Sequence, residues 1–472
     1  MGWGRTGSTA ASLCVALLVP GLATTGTSTV ADSSPRAAQD AARPQLPAAV
    51  GFALEPIQRG PVPDAQMMGD RAGDLWESRW LGSRAGRAIT VRDALTDQHL
   101  IDIRADEPLT PASMTKLLSA AAIMSVLPAD LTFVTRVLPG EQPDQVVLVA
   151  GGDQLLAAGG GRSTRVAGRA GVADLAADTA EALNEQGITG PVQVAMDTSY
   201  ADGPLVAPDW TDFWVDNGFA GRISMLALEQ DRALPYDPAP GDPAVAAARA
   251  FEQALADEGV SVRVADDGDV ERVELAGNAT GAVLAEVESA PLRDVLALAL
   301  TTSDNAMIEQ LARQAAVAAG VDTDQDAVNA WVLSALSDSY QLDIDGAVLA
   351  DASGLSDGTV LPVRLVADVL VKGASGRYPS FQSVLTGLPI AGYSGTLADR
   401  FVQDSAASGL GVVRAKTGSL PSVTSLAGTI TTADGRLLVF ALSVNDVGPG
   451  SDAVEARAVI DALVSQFAGC GC

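Results

Sequence analysis

Apolar and polar positions recur along this chain in blocks that predict a mixed α and β order. Near the C-terminus, "DAVEARAVIDALVSQF" puts Ala456, Val459, Ile460, Leu463 and Phe467 on one helical face. Three strand-like runs precede it: "GVVRAKTG", "VTSLAGTITT" and "RLLVFALSVN", the last two separated by the turn "ADG". Towards the other end, "AITVRDA" and "HLIDIRA" flank the turn-prone "LTDQ" and predict a hairpin. The alanine-rich run "LTPASMTKLLSAAAIMSVL" follows and predicts a helix, with Pro111 and the small residues after it suited to the N-terminus. Hairpin and C-terminal strands together predict one antiparallel sheet flanked by helices, an α+β fold.

Between these ends, residues 131–285 mix short β-like runs ("FVTRVL", "QVVLVAGG", "VQVAMD", "VSVRVA", "VERVELAG") with the helical runs "VADLAADTAEALNEQG" and "AVAAARAFEQALADEG". They predict an inserted α+β region that splits the main domain into 76–130 and 286–472. "PLRDVLALALTTSDNAMIEQLARQAAVAAG" then predicts two helices on either side of "TTSDN". Residues 32–75 are rich in Ala, Pro, Gly and Gln without sustained periodicity and read as a linker. Residues 1–31 carry Arg5, an apolar stretch from Ala10 to Ala23 broken by Pro20, and then small residues. That is the pattern of a secretory signal peptide, or of an N-terminal anchor if it is retained, and it predicts an exported protein.

A formal net charge of −28 over 472 residues, with no basic block, excludes nucleic acid as a partner. Cysteines occur only at 14, 470 and 472, so no stabilising disulfide framework is expected, and Cys470 and Cys472 stand too close together to close a useful loop. The single histidine, His99, leaves too few imidazoles for a zinc peptidase, and it lies in a polar turn entering a strand. Neither metal nor cofactor is implied.

Lysine usage changes the picture. Of the 30 Lys and Arg residues only Lys116, Lys372 and Lys416 are lysines, and two of these three fall in short motifs. An arginine never gives up its proton in a protein, whereas burial can tune a lysine amine into a base. Three motifs run in order: Ser113-x-x-Lys116, Ser303-Asp304-Asn305 and Lys416-Thr417-Gly418. Ser113 in a first helical turn presents its hydroxyl in a positive local field, and Lys116 one turn on can take the proton. Ser303 can relay a proton between Lys116 and a leaving amine, and the Asn305 amide can both donate to and accept from a peptide. Lys416 and Thr417 on an edge strand offer charge and hydroxyl to a carboxylate, while Gly418 permits close approach. The backbone N–H groups of Ser113 and Ser419 would form the oxyanion hole. Taken singly, Ser303-Asp304-Asn305 is an ordinary helix cap and Lys416 an edge-strand charge. Their order and their coincidence with Ser113 favour the catalytic reading.

With these motifs the chain resembles the serine D-alanyl-D-alanine carboxypeptidase/endopeptidase family, the class C low-molecular-mass penicillin-binding proteins (peptidase family S13). "PLTPASMTKLL", "AGGDQLL", "DASGLS", "LPIAGYSGTLADRF" and "VRAKTGSL" extend the likeness over roughly 76–470. Two segments depart from the family's pattern: Ala150-Gly151-Gly152-Asp153-Gln154 lacks a third glycine and a proline, and the double-acid segment reads Met196-Asp197-Thr198-Ser199. The resemblance implies a penicillin-binding/serine β-lactamase-like fold and a Ser113 acyl-enzyme formed on peptidoglycan peptides ending in D-Ala-D-Ala. It also implies β-lactams as covalent inhibitors.

Two other functions compete. A β-lactamase shares the acylation step, but class A enzymes add a glutamate-activated water, and no glutamate lies between Glu309 and Lys416. A non-catalytic β-lactam sensor or wall-binding scaffold would keep the motifs without turnover.

Overall fold

The computed structural model describes residues 60–264, 269–275 and 283–471. The proposed leader 1–31 and most of the expected linker lie outside them.

Five strands form the central sheet: β1 (Arg87–Asp93), β2 (His99–Ile103), β10 (Val413–Leu420), β11 (Val423–Thr431) and β12 (Leu437–Val444). Their order is β10-β11-β12-β1-β2, and all pairs are antiparallel, so hairpin and C-terminal strands do share one sheet. Period-2 alternation sorts its side chains between two cores. Leu438, Phe440, Leu442 and Val444 of β12 face one core with Ala456, Ile460, Leu463 and Phe467 of the C-terminal helix Ser451–Ala468. Val439 and Ala441 face a second, helical core.

That helical core contains the helix Thr115–Val126, whose residues from Thr115 to Met124 are all buried. A helix apolar on every side belongs in an interior, and here it packs against the helices Asn305–Ala318, Gln325–Tyr340 and Val363–Ala374. The last two were not read from the sequence. A two-stranded ladder of β3 (Pro108–Leu109) with β9 (Leu361–Pro362) ties the approach to Ser113 to the rest of the helical layer.

The expected linker needs correction at its end. Ala65–Trp76 is a helix capped by Asp64, and Met68, Ala72 and Trp76 bury one stripe against the core of the C-terminal helix. A stripe at i, i+4 and i+8 is too short to register as periodicity, and two glycines obscure it; tertiary packing supplies the stability instead. Cys470 is disulfide-bonded.

A second sheet is built from β4 (Val134–Pro139), β5 (Gln145–Val149), β6 (Gln193–Asp197), β7 (Glu271–Arg272) and β8 (Ala285–Glu288) in the order β7-β6-β5-β4-β8. None of its strands pairs with the central sheet, and it has its own core under the helices Val172–Glu185 and Pro243–Asp257. "VSVRVA" contributes only an isolated bridge from Val262 to Val192.

Candidate active site

The chain reaches Ser113 through a tight 3₁₀ turn, Ala112–Met114, that runs into the Thr115–Val126 helix. Ala112 adopts φ 50°, a left-handed conformation that a non-glycine residue holds only when its surroundings enforce it. They do so here: Thr115 Oγ1 donates to the Ala112 carbonyl at 2.9 Å, and Ser425 Oγ of β11 donates to the Pro111 carbonyl at 2.7 Å. Gly418 is the third constraint. A Cβ there would collide with Ser425 Oγ and the Pro111 carbonyl, so the glycine admits the nucleophile's own turn against β10.

Lys116 is fully buried, and its Nζ donates to Ser113 Oγ at 3.0 Å, Asn305 Oδ1 at 2.5 Å and the Ser353 carbonyl at 2.8 Å. Burial pulls its pKa down to about 8 against the opposing fields of Asp351, Glu309 and Asp304. The amine therefore has a neutral fraction near neutral pH and touches the hydroxyl it would deprotonate.

The second motif straddles two helices. Ser303 ends Leu292–Thr302 in a left-handed conformation, and Asp304 caps Asn305–Ala318 by accepting from Met307 N at 3.0 Å. The ordinary cap role is thus real, but it belongs to Asp304 and leaves its two neighbours available. Asn305 accepts from Lys116 and donates from Nδ2 to the Phe219 carbonyl at 2.8 Å. Ser303 Oγ instead accepts from Lys416 Nζ at 2.9 Å.

Lys416 is as buried as Lys116, and its second acceptor is the Thr417 carbonyl at 2.7 Å. Burial and the charge of Lys116 hold its pKa well below the usual ammonium range. Its amine reaches the cleft through Ser303 rather than by direct exposure. Thr417 Oγ1 is hydrogen-bonded to Thr396 Oγ1 at 2.8 Å, and Ser419 is exposed. Ser113, Ser303, Asn305 and Ser419 line a single cleft of about 270 Å³, with Trp214 and Phe219 on its far wall.

This geometry, with the first two motifs lining one cleft and the third joined to it through Ser303 and Ser419, is matched at family level. The D-Ala-D-Ala carboxypeptidase 3 (S13) family matches residues 81–236 and 232–467. The chain belongs to that family. Carboxypeptidase Rv3627c of Mycobacterium tuberculosis is 37% identical over 397 residues, 83% of this chain and 81% of that protein. Carboxypeptidase DacB of Mycolicibacterium smegmatis is 36% identical over 398 residues, 83% and 82% respectively. The crystal structure of penicillin binding protein 4 (dacB) from Haemophilus influenzae has a similar fold, with a TM-score of 0.67 at 19% identity, covering 84% of this chain and 99% of that one. The chain is accordingly a serine D-Ala-D-Ala carboxypeptidase of penicillin-binding fold.

The S13 segment "DASGLS" gains a physical role. The buried Asp351 carboxylate accepts from Ser353 Oγ, from Gly354, Leu355 and Ser356 backbone N–H groups, and from Trp210 Nε1 at 2.8 Å. These bonds fix the loop that aims the Ser353 carbonyl at Lys116. The sequence singled out the segment but not Asp351 as its organiser; an acid followed by small polar residues is the only signal it left. The hydroxyls of Ser425 and Ser443, which hold the 110–111 backbone, left none.

The glycine-rich departure is structural too. A Cβ on Gly151 would collide with the Val134 carbonyl and one on Gly152 with Gln314, so the loop docks tightly on the Asn305–Ala318 helix. Asp153 and Asp197 are both buried, 3% and 5% exposed. Asp197 accepts from Ser199 and from Leu275 N, and burial raises the Asp153 carboxyl to about 7. His99 pairs with Asp102 at the sheet surface.

Proposed function

We propose that this chain removes the terminal D-Ala from peptidoglycan stem peptides through an acyl-enzyme on Ser113, and that β-lactams trap the same serine. The observation that carries this reading is the 3.0 Å hydrogen bond between a fully buried Lys116 and Ser113 Oγ. Neutral Lys116 takes the Ser113 proton as Oγ attacks the penultimate D-Ala carbonyl, and the N–H groups of Ser113 and Ser419 receive the oxyanion. The leaving amine takes a proton from the Lys116 and Ser303 side of the cleft, with Lys416 biasing the Ser303 hydroxyl. Asn305 holds the substrate backbone, and Lys416, Thr417, Gly418 and Ser419 form the strand edge along which the peptide lies. Water then cleaves the ester by the same route in reverse. D-centred cross-links present the same bond, so endopeptidase activity falls within this reading. The inserted region, expected at 131–285 and carried to Glu288 by β8, shapes the peptide-facing side of the cleft through Trp214, Phe219 and Arg232 rather than through its sheet. Export through the 1–31 leader would bring the enzyme to the cell wall.

Fluorescent penicillin should label the wild type and not Ser113→Ala, and mass detection should find D-Ala released from muropeptides by the wild type only. Equal labelling of the variant would sink the assignment. The penicilloyl ester should persist for hours, because the leaving ring stays tethered and obstructs water. Recovery of free enzyme within seconds would favour a β-lactamase.

A further inference from the structure

Alternation along β10 divides the third motif between two faces. Lys416 and Gly418 turn towards the Ser113 turn and the helical core. Ala415, Thr417 and Ser419 turn the other way, and Ala415 packs in the core that holds Ala456 and Ile460 of the C-terminal helix. On that helix Arg457 extends to the strand, its Nη2 donating to Ser419 Oγ at 3.4 Å.

This arginine is incompletely satisfied. The chain carries 58 acidic side chains against 30 Lys and Arg, yet no carboxylate lies within ion-pair distance of Arg457 among the described residues. Its Nε is buried without a partner. Neighbouring Arg400 is by contrast fully engaged, with Nε and Nη2 both on the Asp461 carboxylate at 2.6–3.1 Å. Burial and the charge of Arg400 lower the Arg457 pKa, and the more distant Asp399 and Asp461 offset this only in part. An incoming carboxylate would relieve that desolvation. A cleft of about 210 Å³ beside it, bounded by Asp399, Phe401 and Val454, leaves the guanidinium room to turn. Lys416 cannot serve this face, since its ammonium is buried against Ser303.

We propose that Arg457 is a specificity-determining residue that binds the carboxylate of the leaving D-amino acid, in concert with Ser419 and Thr417. The preferred substrates are then acyl-D-amino acids with a free carboxylate alpha to the scissile nitrogen, and the corresponding amides and esters are discriminated against. The inference rests on the proposed hydrolysis at Ser113.

The test uses a pair of acyl-D-alanyl thioesters whose leaving group ends either in a carboxylate or in its methyl ester. Wild type should prefer the carboxylate form. Arg457→Ala should lose about 10–100-fold in kcat/KM on it, mostly through KM, while the methyl ester changes less than about two-fold. Arg457→Lys should recover part of the loss. Arg457→Gln keeps a donor for Ser419 without the charge, and should behave like Arg457→Ala. An equal loss on both thioesters would overturn the proposal, because it would make the arginine merely structural, and so would undiminished activity of Arg457→Ala and Arg457→Gln on the carboxylate form. A wild type that cleaves neither thioester would instead overturn the Ser113 reading itself.

Discussion

The floor of the cleft and its far wall are built on opposite terms. Lys116, Lys416, Glu309 and Asp351 in the floor are all 0% exposed, and all but Glu309 are held by short hydrogen bonds. The wall at 210–237 is a cluster of rings, Phe213, Trp214, Phe219 and Tyr236, with centroids 5.1–6.1 Å apart. Phe213 is 58% exposed and Tyr236 80%. Burial in the floor lowers the Lys116 pKa and holds its amine 3.0 Å from Ser113 Oγ. Exposed aromatic area in the wall is surface that a bound peptide can cover. Chemistry and recognition are therefore separable by mutation.

The largest effect should come from removing the base while keeping its charge. Lys116→Arg retains a cation beside Ser113 but cannot act as a base, so acylation by penicillin should slow by about 10²–10⁴-fold, the usual range for loss of a general base. The thermal midpoint serves as the folding control. Near-normal acylation would reduce Lys116 to an electrostatic anchor and dissolve the contrast between floor and wall.

Next comes the loop that aims the Ser353 carbonyl. Asp351→Asn keeps the shape but replaces an acceptor oxygen with a donor that faces backbone N–H groups and Trp210 Nε1. Buried donors left unpaired cost about 1–3 kcal/mol each, so the variant should unfold several degrees lower and acylate more slowly. Because Trp210 belongs to the wall's own small core with Ala207, Val215 and Ile223, the wall should loosen as well. An unchanged melting temperature would show that the loop does not depend on its acid.

How much of this was legible follows from where each constraint resides. The central sheet was readable because its strands are short apolar and β-branched runs bounded by turn residues, as burial on both faces requires, and the C-terminal helix because Ala456, Ile460, Leu463 and Phe467 recur at helical spacing. The contact between Ser113 and Lys116 was readable because a serine and a lysine one turn apart need no tertiary information. The pairing of Lys416 with Ser303 was not, since 113 residues separate them and only the folded sheet sets their distance. Ala65–Trp76 was lost to its two glycines and short stripe. The close approach of Ser425 and Pro111 to Gly418 was not legible, because a sequence cannot say which atoms of its own chain approach a glycine.

A smaller effect tests the electrostatics beneath the floor. Glu309 lies one turn beyond Asn305 on the same helix, with Oε2 accepting from Gln325 at 3.2 Å and Oε1 unpartnered. Burial, reinforced by Asp351, raises its pKa to about 8. From about pH 5 to 8 the unfolded chain has released this proton while the folded one keeps it, so stability should fall with rising pH across that window. Lys116 acts oppositely: its folded pKa of about 8 lies below the ordinary 10.5, so stability should recover from about pH 8 to 10. Glu309→Gln should shrink the first limb, leaving the share of the buried Asp153 carboxyl, which ends near pH 7, and should leave the second limb unchanged. It also removes a field that raises the Lys116 pKa, so the rising limb of acylation against pH should move to lower pH, by less than about one unit. A shift in the other direction would show that Glu309 does not act on Lys116.

The smallest effect belongs to the wall. Tyr236 adopts φ 68° at a turn where Leu234 N donates to the Asp237 carbonyl and Gly218 packs against the Leu234 carbonyl. Tyr236→Ala keeps a Cβ and hence the same backbone strain, and removes a ring that is mostly in water. Stability should change by less than about 0.5 kcal/mol, as at most exposed positions. The ring contributes an edge contact to Phe219, whose carbonyl accepts from Asn305, so any influence on the floor must pass through that one residue. A small β-lactam, too short to reach Tyr236, should acylate Ser113 at the wild-type rate, whereas a full stem peptide should show a KM raised about two- to five-fold with kcat unchanged. Steady-state kinetics on the two substrates decides the matter: equal slowing of both would mean that the wall positions Asn305, and that floor and wall are one device rather than two.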